Sequence, residues 1–162
     1  LSTLRQLKVA VAGVLDAVPG MGTVDLARID PDSVPRKVRG PDPYWGLSLR
    51  RITTREGTLG ADLDASPPHR QMFYAYGLRL EGWRIIVAQQ EAQDAWEALV
   101  EAVVDALLLS PLQLARAVPQ FSDMRGAGAV TVDVAGFLGN SSRAHHAIVE
   151  ADLETYRDVR AA

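Results

Sequence analysis

The segment Met72-Phe-Tyr-Ala-Tyr-Gly-Leu-Arg-Leu-Glu-Gly-Trp-Arg-Ile-Ile-Val87 decides how the rest of this chain reads. Met72, Tyr74, Tyr76, Leu78 and Leu80 alternate onto one side, with Arg79 and Glu81 on the other, the period of a strand packed on one face. At Gly82 the phase changes, and from there Trp83, Ile85 and Val87 carry the large apolar groups. A glycine at such a step predicts a β-bulge or a tight Glu81-Gly82 turn between two strands, and the bulge is the favoured reading.

A helix follows. Asp94 and Glu97 have capping-box spacing, which predicts a start at Asp94, and Pro111 stops the run beyond Leu109. Trp96, Leu99, Val100, Val103 and Leu107 form an apolar stripe, opposite an acidic face of Glu97, Glu101 and Asp105. A second amphipathic helix is predicted upstream, capped by Ser2 or Thr3, with Leu4, Leu7, Val11, Val14 and Val18 on one side and Pro19-Gly20 at its end.

Shorter strands surround these elements. Val24, Leu26 and Arg28 alternate before Asp30-Pro31, and Tyr44–Thr53 places Trp45, Leu47 and Leu49 inward against Ser48 and Arg50 outward. Val130, Val132 and Val134 share a face after a turn around Gly126 and Gly128. His145–Arg157 sets Ala147, Val149, Ala151 and Leu153 against Glu150, Asp152 and Glu154. A helical turn is expected within Leu112–Val118, and a glycine- and serine-rich connection over Gly136–Ser142. The expected class is α+β: a four- or five-stranded, mainly antiparallel sheet with two amphipathic helices packed on one face.

Two stretches read as long loops in this single domain of residues 1–162. One is Asp30–Pro43, with its prolines and the basic group Arg36, Lys37 and Arg39; the other is Arg55–Arg70, running to about residue 71. Long loops cost entropy to order, so contact with a partner is expected ahead of an active-site lid.

Composition excludes several function classes. A net charge of −3 does not suit a general nucleic-acid binder, whose affinity rests on phosphate contacts. The absence of cysteine rules out disulfides and thiolate metal sites. Ala98–Leu109 is interrupted by Glu101 and Asp105, so no membrane span is expected.

Chemistry-bearing motifs do not assemble. His145 and His146 are adjacent on a strand and point to opposite faces, and His69 stands alone after Pro67-Pro68, so no metal site is expected. Gly20-Met-Gly22 lacks the third glycine of a dinucleotide fingerprint and precedes a strand instead of following one; a helix-ending turn fits better. Gly139-Asn-Ser-Ser-Arg143 is neither a nucleophile elbow nor a phosphate loop. No nucleophile, base and oxyanion donor come together. The acidic rows suggest a solvated surface, or one that meets basic partner segments or lines a passage for DNA.

The layout resembles tail terminator proteins of long-tailed bacteriophages and gene-transfer particles. The resemblance is carried by the opening helix Leu4–Val18, the strand Tyr76-Gly-Leu-Arg-Leu-Glu-Gly-Trp83, the helix Asp94–Leu109 and the closing segment Arg143–Tyr156. It implies a structural virion protein without enzymatic activity or cofactor, assembled in the bacterial cytoplasm, that forms a homo-oligomeric ring of six copies. Such a ring caps the tail tube, meets the tail tube protein and a neck or head-completion protein, and passes DNA without sequence-specific binding. Another neck or minor tail protein is an alternative within that class. A small ligand-binding or enzymatic domain built around Tyr74, Tyr76 and Trp83 is an alternative outside it. Interface candidates are Arg36, Lys37, Arg39, Trp45, Arg55, Arg70, Glu150, Asp152 and Glu154.

Overall fold

The computed structural model describes residues 2–27, 42–85, 90–109, 123–133 and 144–160. Helix α1 (Thr3–Asp16) precedes β1 (Thr23–Asp25), β2 (Tyr44–Asp62) and β3 (His69–Ile85); α2 (Gln90–Leu108), β4 (Asp123–Asp133) and β5 (Ala144–Arg160) follow. The strands form one five-stranded sheet in the order β1-β2-β3-β5-β4. β1 runs parallel to β2 and every other pairing is antiparallel. The expected α+β class, with both helices over one face of a mainly antiparallel sheet, is what the molecule adopts.

α1 is capped as its sequence predicts, with the Ser2 hydroxyl accepting from the Arg5 backbone N–H at 3.2 Å. Leu7, Val11 and Leu15 line its buried side. Gly20 and Gly22 turn the chain with φ of +77° and +75°. A Cβ at Gly22 would lie 2.1 Å from the carbonyl oxygen of Pro43, so only glycine fits this turn. Helix α2 begins at Gln90, not at Asp94. Gln90, Glu91, Ala92 and Gln93 are strong helix formers and extend it upstream, which makes Asp94 an interior residue and removes the expected capping box. Inside the helix, Gln93 donates to Glu97 at 2.7 Å.

Under the helices, Trp45 and Leu47 of β2, Tyr76, Leu78 and Leu80 of β3, and Ala147, Val149, Ala151 and Leu153 of β5 complete the core. Trp96 stacks on Trp45 with ring centroids 5.3 Å apart and planes 12° from parallel. Trp45 also donates its Nε1 proton to the Met21 carbonyl at 2.8 Å, satisfying the polar end of a buried indole.

Gly82 is neither a bulge nor a turn. β3 pairs without interruption through it, with Trp45 on one side and Ala147 on the other. The apparent change of phase has a different cause: the sheet is buried on both faces at this end. Gly82 lies on the helix side beneath Trp45, where a Cβ would come 2.1 Å from Cε3 of the indole. Trp83 points to the opposite face and is buried there, stacked on His146 at 5.1 Å.

The ladder corrects two further expectations. Arg55–Arg70 is not a loop: β2 runs on to Asp62, β3 begins at His69, and Leu63–Pro68 connects them. The glycines that suggested a loop sit where β2 shifts register between Glu56 and Ala61. Gly126 and Gly128 likewise lie inside β4, which absorbs irregular register between Met124 and Gly126 and between Ala127 and Val130. Asp30–Arg39, Leu112–Val118 and Gly136–Ser142 lie outside the described residues.

Candidate functional site

The face of the sheet turned away from the helices carries a lattice of charge. Its placement depends on one irregularity. β2 pairs Leu49 with Leu78 but Arg51 with Gly77, so Arg50 and Arg51 answer a single step of β3. Regular alternation would send two adjacent arginines to opposite faces; the bulge turns both outward.

Both then meet β5 across β3. Arg50 pairs with Glu150, and Arg51 Nη2 lies 3.3 Å from an oxygen of Asp152. Gly77, between them in the middle strand, makes the second approach possible: a Cβ there would stand 2.9 Å from Cγ of Arg51 and 3.1 Å from Asp152. Arg79 extends the lattice, 3.6 Å from Glu81 and 4.0 Å from Glu150, and His146 Nε2 lies 2.9 Å from Glu81. A shallow depression of about 80 Å³ opens over Gly77 between Arg50, Arg51, Glu150 and Asp152. Pockets for organic ligands run to roughly 300–1,000 Å³, so this hollow accommodates no more than small ions or water. Each carboxylate faces a guanidinium, which leaves no strained or unpaired base in the hollow.

The same strands continue beyond the helices as an arm. Residues 51–56, 61–64 and 66–68 are all exposed. The arm comprises the Ile52–Asp62 end of β2, the His69–Ala75 end of β3 and the end of β5. At ~3.3 Å per residue, the β3 portion is about 23 Å long. Ring contacts extend the core into it, with Phe73 and Thr155 buried. On the outer face, Phe73 meets Tyr156 edge-on at 5.4 Å, and the Arg55 guanidinium sits 4.0 Å above the Phe73 ring. On the helix side, Tyr74 stacks on Tyr76 at 5.7 Å and Arg157 lies 4.9 Å over Tyr74. Arg157 also donates to the Tyr76 hydroxyl at 3.1 Å. Burial raises the Tyr76 pKa and the arginine partly offsets that, so the phenol stays neutral.

At the other end of the sheet, His145 is buried on the helix side and stacks on Trp96 at 5.8 Å. Arg84 Nη2 lies 3.5 Å from its Nδ1, and a guanidinium can only donate, so Nδ1 is the acceptor of a neutral ring. Burial first, then the Arg84 charge, lowers the pKa of His145; Glu97 opposes them weakly.

The expected site residues therefore separate. Glu150 and Asp152 belong to the outer lattice, and Glu154 is the next outward residue along β5, between Ala75 and Gly126. Arg55 and Arg70 lie on the arm, Arg70 3.4 Å from Glu56. Trp45, named as an interface contact, is 0% exposed and is a core residue. Arg36, Lys37 and Arg39 lie outside the described residues. Tyr74 and Tyr76 face the helices while Trp83 faces away, so these aromatics do not converge on a pocket. Sequence reading overlooked Arg50, Arg51 and Arg79 as partners of the acidic row; the Arg50-Arg51 pair within an alternating strand was the available signal.

Among the described residues, no cluster of three or more His, Asp or Glu could hold a metal ion. No helix among them is long and apolar enough to cross a membrane. No protein-family model and no curated protein matches this chain.

Proposed function

We propose that this chain is a structural subunit that associates with further copies of itself into a ring, and that the ring is a tail terminator. It closes the tail tube of a long-tailed virion, joins the tube to the neck, and passes DNA without reading its sequence. Assembly takes place in the bacterial cytoplasm.

One observation carries the reading. The sheet continues toward His69 as an arm whose β2 edge is exposed on both faces, while Phe73 and Thr155 in its other strands are buried and ring and arginine contacts pack around them. A sheet face gains most of its stability from what covers it, so an ordered ribbon of this kind is suited to a surface supplied from outside. The outer lattice agrees with a structural role, since its carboxylates are engaged by arginines across the sheet.

Sedimentation velocity and native mass spectrometry over a concentration series test the self-association, with rings of six subunits expected. Electron microscopy of tail tubes grown with and without the protein tests the capping. A chain that stays monomeric at high concentration and ignores tube ends overturns the proposal.

A further inference from the structure

Two surfaces of the chain complement each other in charge and in apolar character, and they lie on different elements. The first is the outer face of α2. That helix carries Glu91, Asp94, Glu97, Glu101 and Asp105 and no basic residue. Among the described residues, Asp94, Glu101 and Asp105 have no ion-pair partner. The helix ends in apolar side chains turned to solvent, Leu108 at 46% exposure and Leu109 at 83%.

The second surface is the helix-side face of the arm. It continues the core face of the sheet from Tyr76 and Leu153 toward His69, past buried Thr155 to exposed residues of β2 and β5. Ile52 and Val159 are exposed on it at 44% and 39%. Its cations are Arg157, which has no carboxylate partner among the described residues, and Arg70, whose pairing with exposed Glu56 is long at 3.4 Å. α2 is 19 residues long, about 28 Å at 1.5 Å per residue, close to the length of the arm.

From this complementarity we infer that α2 of one copy seats on the helix-side face of the arm of the next. Glu101 and Asp105 meet Arg70 and Arg157, while Leu108 and Leu109 cover the exposed apolar carbons of the arm. The contact joins two different patches, so it is heterologous and propagates head to tail, and a heterologous contact closes into a ring when its rotation allows. This inference rests on the self-association proposed above and names the surfaces that produce it.

Charge reversal on each surface tests it. E101R/D105R alters only the helix, and R70E/R157E only the arm. I52E/R70E is a second arm variant that leaves the Arg157 contact with Tyr76 intact. Each variant alone should associate at least about tenfold more weakly than the parent by sedimentation, with an unchanged circular dichroism spectrum. An equimolar mixture of the helix variant with an arm variant should recover assembly, because every junction then pairs a reversed helix with a reversed arm or a native helix with a native arm. Reversed variants that assemble alone as the parent does, or a mixture that stays dissociated, overturn the inference while leaving the ring in place. A parent chain that is monomeric throughout removes the ring itself.

Discussion

β2, β3 and β5 are each two strands in one. Toward Trp83 they lie beneath α1 and α2, and their helix-side residues are sealed in a core of stacked indoles. Toward His69 the same backbone ladder continues with the side chains of β2 exposed on both faces, while Phe73 of β3 and Thr155 of β5 remain buried. The alternation of side chains is unbroken along β3 from one half to the other. The half beneath the helices holds most of the core, and the half toward His69, open along β2, is carried by it. Such a division leaves the arm free to change its surface without endangering the domain.

Four perturbations probe that division. The largest effect belongs to the covered half: Trp96→Ala should lower the free energy of unfolding by about 3–5 kcal/mol in a denaturant titration, since it empties a large site between Trp45 and His145. Gly82→Ala comes next, at about 1–3 kcal/mol, because the new methyl group must displace the Trp45 ring that lies on the glycine. Arg51→Ala, in the outer lattice, should cost less than about 1 kcal/mol, its ion pair being largely solvent-screened. Ile52→Thr, on the arm, should stay within about 0.5 kcal/mol of the parent. A loss at Ile52 comparable to that at Trp96 would break the comparison.

Acidity sharpens it further. The neutral form of His145 is the buried one, so the folded pKa lies below the ordinary imidazole value of 6.5. Between those two values the unfolded chain binds the proton and the folded chain does not. Stability at this site is accordingly complete above pH 6.5 and is lost as the pH falls through the window beneath it. His145→Gln should flatten the dependence of the melting temperature on pH across that window.

Much of the covered half was legible in the sequence. The stripes of α1 and α2, the alternation of β3 and the inward residues Ala147, Val149, Ala151 and Leu153 of β5 are each periodic, and each was placed on the correct face. Where the reading failed, tertiary pairing overrode a local signal. Gly57 and Gly60 look like loop residues, yet the ladder with β3 carries β2 past them. Gly82 looked like a break because apolar residues change sides there, and that side change reflects a sheet buried twice over, a property of the assembled fold and not of any local window. The acidic row of β5 was recognised, but its arginine partners lie about a hundred positions away in sequence. Their meeting depends on a single bulged residue that no period announces. The exposed β2 edge of the arm was hidden for the same reason, since exposure is defined only once the fold is assembled.

The near-parallel indoles of Trp45 and Trp96 have a practical consequence. Chromophores this close couple their electronic transitions, and that coupling exists only while α2 is seated on the sheet. Trp83 lies on the opposite face of the sheet, stacked on His146 instead. The molecule thus carries its own optical gauge of whether its lid of helices is closed, readable without any attached label.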